Sequence, residues 1–199
     1  MIKSNQIIKE IRNLIFPILG AFLIASLINS KVFARVQVQQ ESMENTLYGD
    51  QQLIVDKLSY NFARPKRGDI IIFLENGQTG TIIEDTAIFL NNIKSVFKNT
   101  EQDKRLVKRV IGIPGDEVSI KDGYVYVNGE KLNESYVKGQ TFSDEEKYSI
   151  RVTANKLFVL GDNRPISRDS RTFGLINYNQ VEGKAVFRVF PFNKIGALK

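Results

Sequence analysis

The chemistry open to this sequence is set first by what it lacks. With neither histidine nor cysteine among its 199 residues, a Ser-His-Asp triad, a thiolate nucleophile and a histidine-based zinc site are all excluded. A serine nucleophile would need a different base. Ser42 stands out by position: within Gln40-Glu41-Ser42-Met43-Glu44-Asn45-Thr46-Leu47 it follows Val36-Gln37-Val38-Gln39, whose alternation of apolar and polar residues reads as a half-buried strand ending in a turn. The candidate base is Lys108, in Arg105-Leu106-Val107-Lys108-Arg109-Val110-Ile111-Gly112-Ile113-Pro114-Gly115-Asp116. A free lysine is neutral in only about one molecule in two thousand at pH 7, so burial must weaken its hold on the proton. In a strand Lys108 shares one face with Leu106 and Val110, and Arg109 shares the other with Val107 and Ile111. If the first face is the core the amine is desolvated; if the second is, Lys108 is an ordinary surface lysine. A third stretch, residues 161–174, follows the apolar run Leu157-Phe158-Val159-Leu160 and is dense in polar groups. Asp162 or Asp169 paired with Arg171 would fix this loop and leave the hydroxyls of Ser167 and Ser170 aimed inward.

These residues need elements to hold them. Leu53-Ile54-Val55, Ile70-Ile71-Ile72-Phe73-Leu74, the Lys108 segment, Val118-Ser119-Ile120, Tyr124-Val125-Tyr126-Val127, Leu157 to Leu160 and Ala185 to Phe190 read as strands. Asp122-Gly123 and Asn128-Gly129 supply the tight turns that match strand twist. One segment differs: Phe89, Leu90, Ile93, Val96 and Phe97 recur at helical spacing, which predicts an amphipathic helix over residues 84–99, with Asp85 or Thr86 as its N-cap. At the N-terminus Lys3, Lys9 and Arg12 precede an apolar run from Leu14 to Ile28. That pattern fits a cleaved secretory signal or a retained membrane anchor, and it lacks the polar face of a soluble helix. The net charge of +6 comes from scattered lysines and arginines, a basic surface rather than the massed stripe of a nucleic-acid binder. The absence of cysteine removes any disulfide framework.

Taken in order, these stretches resemble the boxes of the bacterial type I signal peptidases, membrane-anchored leader peptidases with a Ser/Lys dyad, in their Gram-positive form. Ser42-Met43 with Thr46-Leu47 resembles the nucleophile box, and Gly49-Asp50 through Val55-Asp56-Lys57 the next. Arg64-Pro65-Lys66-Arg67-Gly68-Asp69-Ile70 follows, then Lys108-Arg109-Val110-Ile111-Gly112 with Pro114-Gly115-Asp116 as the lysine box, and residues 161–174. Val181-Glu182-Gly183-Lys184-Ala185 and Pro191-Phe192-Asn193-Lys194-Ile195-Gly196 resemble the C-terminal end. The resemblance implies a mainly β protein: a catalytic domain of antiparallel β-sheet, or barrel-like, with one N-terminal transmembrane helix and a short inserted helix. Residues 1–12 are then cytoplasmic, 13–34 the anchor and 35–199 the extracytoplasmic domain, with an insertion at 75–104. It further implies that Ser42 attacks the peptide carbonyl and Lys108 is the general base, that Ser167 orients the lysine amine, that Asp169 and Arg171 hold the loop, and that Met43 lines the substrate site. The backbone N-H of Ser42 would stabilise the oxyanion. The partners implied are exported precursors, cut after small residues at the first and third positions before the bond, and membrane lipid. Neither metal nor cofactor is called for.

The sequence departs from that pattern at several points. Asn45 stands where proline is usual, which predicts a looser turn after Ser42. Gln40 stands where relatives carry glycine or a hydroxyl that assists the oxyanion hole: either its amide substitutes, or the hole is incomplete. Ile166 replaces a polar residue before Ser167, and the 84–99 helix enlarges the insertion. These changes point to a member specialised for a restricted substrate set, such as surface-appendage subunits. Three alternatives compete: a catalytically silent relative acting as a chaperone of exported subunits, a self-cleaving repressor, and a secreted β domain freed of residues 1–34. Keeping both Ser42 and Lys108 weighs against the first, and no DNA-binding domain is readable for the second. Val32-Phe33-Ala34 also has the small-residue pattern at which such an enzyme would trim itself.

Overall fold

The computed structural model describes residues 9–10, 12–18, 20, 33–75, 77, 104–144 and 148–198. Its strands are β1 (Phe33–Gln37), β2 (Gln52–Asp56), β3 (Ile70–Leu74), β4 (Arg105–Gly112), β5 (Glu117–Lys121), β6 (Tyr124–Val127), β7 (Glu130–Lys131), β8 (Tyr148–Arg151), β9 (Lys156–Leu160), β10 (Ile176–Asn177), β11 (Val181–Phe190) and β12 (Gly196–Ala197). Among the described residues two short α-helical turns, α1 (Ser59–Phe62) and α2 (Ser170–Phe173), and three 3-10 turns lie between them. The larger sheet runs β1-β2-β11-β3-β4-β9-β10, with β12 on β11, and the smaller runs β7-β6-β5-β8. Every strand pairing in both is antiparallel.

The continuous apolar runs are explained by burial on both faces. Alternate residues of β3 enter different clusters: Ile70 and Ile72 pack with Val38, Met43, Leu47 and Val55, while Ile71 and Phe73 pack with Leu106, Val110 and Val159. In β9, Phe158 and Leu160 turn instead toward Val118, Val125 and Val127 of the smaller sheet. The two expected hairpin turns form, with φ of 53° and 81° at Asp122-Gly123 and 55° and 85° at Asn128-Gly129, the left-handed values that Asp, Asn and Gly tolerate.

Three expectations can be set beside the described residues. The expected antiparallel sheet forms, and among the described residues β1 and β10 end its pairing path without meeting. Residues 12–18 are helical and leave Leu14, Ile15, Phe16 and Ile18 exposed, but no helix among the described residues is long and apolar enough to cross a membrane. Of the proposed anchor 13–34, Phe33 and Ala34 begin β1 instead; residues 19 and 21–32, like the 84–99 helix, lie outside the described residues. The bond after Ala34 lies inside β1, where Ala34 pairs with Val55 and Arg35 with Ile54, so self-trimming there would first have to strip β1 from β2.

Candidate active site

Ser42 sits in a single 3-10 turn, Glu41–Met43, that follows directly on the extended backbone of Gln40. The turn is pinned from both ends. Met43 and Leu47 are buried in the core beneath it, and the Met43 carbonyl accepts hydrogen bonds from Thr46 N and Leu47 N at 3.1 and 2.7 Å. Asn45 has a φ of 87°, which asparagine tolerates and a proline ring cannot adopt, and its side-chain amide donates to the Tyr136 carbonyl at 3.0 Å. The departure from proline therefore accompanies a tied left-handed turn, not a looser one. Met43 also differs from expectation: only 1% exposed, it holds the turn from below and does not line the cleft above it.

Lys108 lies on β4 between Leu106 and Val110, on the face that packs into the core, and is 1% exposed. Its Nζ is 2.6 Å from Ser42 Oγ and 3.0 Å from the Val107 carbonyl. Desolvation is the largest influence on this amine and lowers its pKa from 10.5 to about 8, against the opposing pull of the Asp169 and Glu75 carboxylates. A group with that pKa is neutral in about one molecule in ten at pH 7, against one in thousands for an exposed lysine.

The loop after β9 closes the site from the other side. Asn163 N donates to the Ser42 carbonyl at 3.0 Å, and the Asn163 side chain reaches the Glu41 carbonyl at 3.2 Å. Of the two pairings open from sequence, Asp169 is the partner of Arg171, through Nε at 2.8 Å and Nη2 at 2.9 Å. Asp169 also accepts from Gly161 N at 3.0 Å and caps α2. Ser170 does turn inward, its hydroxyl accepting from Val159 N at 2.9 Å. Ser167 is buried beside the Ser42 turn, but among the described residues its Oγ has no hydrogen-bond partner and does not bond Lys108.

Gly161 is what allows this closeness. A Cβ there would fall 2.1 Å from Ser167 Oγ and 2.4 Å from the Ser42 carbonyl oxygen. Gly161→Ala is therefore expected to cost about 2–3 kcal/mol through overpacking, read as a lower midpoint of urea unfolding. An unchanged midpoint would mean that loop and turn are not packed as described.

Ser42 and Lys108 open onto a cleft of about 380 Å³ whose other walls include Gln39, Gln40, Leu106 and Ile166. Two of the residues at which the sequence departs from its resemblance, Gln40 and Ile166, thus face the same space. One side of the cleft is the extended chain leading to Ser42. The other is β4, whose pairing with β9 begins only at Arg109, so residues 105–108 have an unpaired backbone edge on that side among the described residues. An extended peptide can add there as a strand.

One feature escaped the sequence reading. Arg109 and Asp162 are 2% and 0% exposed and form a two-pronged pair, Nε to Oδ1 at 2.9 Å and Nη2 to Oδ2 at 2.8 Å. Thr46 Oγ1 donates to Asp162 at 2.5 Å, Arg109 Nη1 donates to the Gly68 carbonyl at 3.0 Å, and the Tyr136 ring lies 3.9 Å from the guanidinium carbon. The signal was the adjacency of Lys108 and Arg109: on a strand buried on both faces, both must go inside.

Comparison with known proteins gives consistent relatives. A family model described as "Signal peptidase, peptidase S26" matches residues 11–190. A signal peptidase I of Bacillus caldolyticus is 34% identical over 198 residues, covering 94% of this chain and 95% of its own. A signal peptidase IB of Staphylococcus aureus strain COL is 31% identical over 202 residues, covering 94% and 93%. A crystal structure of a signal peptidase I from Enterococcus faecalis V583 is 29% identical, covers 61% of this chain and 97% of its own, and has a TM-score of 0.42.

Proposed function

The chain belongs to the signal peptidase family, peptidase S26, and on that premise we propose that it is a Ser/Lys endopeptidase that removes signal peptides from exported precursors. The observation that carries this reading is the 2.6 Å approach of Ser42 Oγ to Lys108 Nζ in a site buried enough to lower the lysine pKa to about 8. The neutral amine accepts the Ser42 proton as Oγ attacks the carbonyl carbon of the scissile bond. Negative charge then develops on the carbonyl oxygen, where the Ser42 N-H and the Gln40 side-chain amide are the donors. Collapse breaks the C-N bond, the Lys108 ammonium protonates the departing amine, and an acyl ester remains on Ser42. Water, deprotonated by Lys108, hydrolyses that ester and restores the serine.

Ser167 supplies a buried hydroxyl with no competing partner among the described residues, which suits it to hold the amine once substrate has closed the cleft. Asp169 and Arg171 act through it, by fixing the loop. The substrate preference carried over from the family is for small residues at the first and third positions before the bond. The apolar sequence from Leu14 to Ile28 is the membrane anchor in this reading, with the catalytic domain outside. Since Gln40 and Ile166 both line the cleft, a narrowed substrate set, such as surface-appendage subunits, fits the same reading.

The test is cleavage of two precursors by the detergent-solubilised chain, one with a generic signal peptide and one a surface-appendage subunit, each beside Ser42→Ala. Cleavage after the small residue, abolished in Ser42→Ala and faster on the second precursor, is expected. Binding of precursors without cleavage by the unaltered chain would replace the peptidase with a chaperone, and equal rates on both would remove the specialisation.

A further inference from the structure

We propose that a second cleft, across the catalytic loop from the first, receives the residues of the precursor that follow the cleaved bond. The inference rests on the proteolytic reading above. This cleft, about 480 Å³, is lined by Gln140, Phe142, Asp144, Pro165, Ser167 and Thr172, with Arg164 and Arg171 beneath. Its partition from the catalytic cleft is one short stretch of chain. Pro165 and Ser167 line the second space, and Ile166 and Arg168 line the first.

The second cleft comes near the nucleophile turn through Ser167, which lines it. The point above Gly161 that lies 2.1 Å from Ser167 Oγ lies 2.4 Å from the Ser42 carbonyl oxygen, so the Ser167 side chain and the Ser42 backbone are neighbours. Ser167 Oγ is buried and, among the described residues, unpartnered. A peptide whose carbonyl sits at Ser42 must run on in both directions. The extended residues Gln39 and Gln40 and the unpaired edge of β4 accommodate one direction, and the second cleft, across the catalytic loop, is the path assigned to the other.

Its floor is rigid. Arg171 donates to the Phe142 carbonyl at 2.8 Å, the Arg164 carbonyl at 2.7 Å and the Ser167 carbonyl at 3.2 Å, in addition to its pair with Asp169. Arg164 is 1% exposed and is held by Glu134, Thr141 and the Gly161 carbonyl. Both guanidinium groups are thus engaged within the protein. What faces an incoming chain is the Phe142 ring, 62% exposed, the ring of Pro165, and the exposed Asp144 carboxylate at the rim. That chemistry favours apolar and basic residues just after the cut and disfavours acidic ones.

Three peptides sharing one signal portion test this: one ending in a single amide-capped alanine after the cut, one continuing Ala-Phe-Lys and one continuing Ala-Asp-Glu. The unaltered protein should cleave the Ala-Phe-Lys peptide with a kcat/KM roughly fivefold above the other two, the scale of one aromatic contact. Phe142→Ala should erase that advantage and leave the alanine-amide peptide unaffected, while Phe192→Ala, an exposed aromatic outside both clefts, should change none of them. Equal loss on all three peptides in Phe142→Ala would show that Phe142 only supports the loop, and a persisting advantage would place those residues elsewhere; either overturns the subsite. Failure of the unaltered protein to cleave any of them would overturn the proteolytic reading, and the subsite with it.

Discussion

Lys108→Met is expected to lower precursor cleavage by at least about a thousandfold, the scale of losing a general base, while making the folded chain more stable at neutral pH. The two effects have one cause. Holding the amine near 8 rather than 10.5 costs the folded state about 3 kcal/mol at pH 7, at about 1.36 kcal/mol for each pH unit. Methionine fills nearly the same volume and carries no charge to desolvate. It forfeits the contacts with Ser42 Oγ and the Val107 carbonyl, which leaves a net gain of about 2 kcal/mol. Urea unfolding of both proteins at pH 7 checks it, and a less stable Lys108→Met would mean that the lysine is not held against its protonation preference.

The same linkage gives a pH signature. The unfolded chain binds the Lys108 proton more tightly than the folded chain, so between about pH 8 and 10.5 the unfolded state carries more protons and wild-type stability rises with pH. The advantage of Lys108→Met should shrink across that window and be full below it. Catalysis follows the folded-state value. Cleavage should rise about tenfold from pH 7 to a plateau near 9, and a flat profile would remove Lys108 as the base.

How far the sequence could be read depended on whether a residue's environment is local. Alternation at Val36 to Gln39 and the Asp-Gly and Asn-Gly turns are set by neighbours in the chain; β5, β6 and β7 follow the turns closely, while β1 (Phe33–Gln37) ends two residues earlier than the alternation. The face of Lys108 could be narrowed to two choices but not chosen, because the choice depends on which cluster β3 and β9 bring against β4. Once both faces of that strand are covered, the surface alternative disappears for Lys108 and Arg109 alike. The partner of Arg171 was likewise left as Asp162 or Asp169, and it is decided from a distance: Arg109 takes Asp162 from another strand, leaving Asp169 as the local partner. Met43 was misplaced because a turn residue beside a nucleophile can face either way, and the apolar residues beneath it come from β2, β3 and β11.

Asp162→Asn is expected to destabilise the chain by about 3–5 kcal/mol, because it removes one partner of a fully buried pair and leaves the Arg109 cation uncompensated. For a chain of this size the melting temperature should fall on the order of 10 °C. The pair also ties three segments that the chemistry needs together. Arg109 follows Lys108 on β4, Asp162 follows Gly161 in the loop, and Thr46, bonded to Asp162 at 2.5 Å, belongs to the Ser42 turn. Stability and alignment can therefore be separated. Arg109→Met combined with Asp162→Leu removes both charges and keeps the volume apolar, so it should recover much of the lost stability. It supplies nothing to hold Thr46 or the Gly68 carbonyl, and cleavage should stay at least tenfold down although Ser42 and Lys108 are both present. Thermal unfolding read beside kcat for the single and double variants decides it. Recovery of both would make the pair a matter of packing alone, whereas recovery of stability without rate would identify it as the tie that sets the serine against its base.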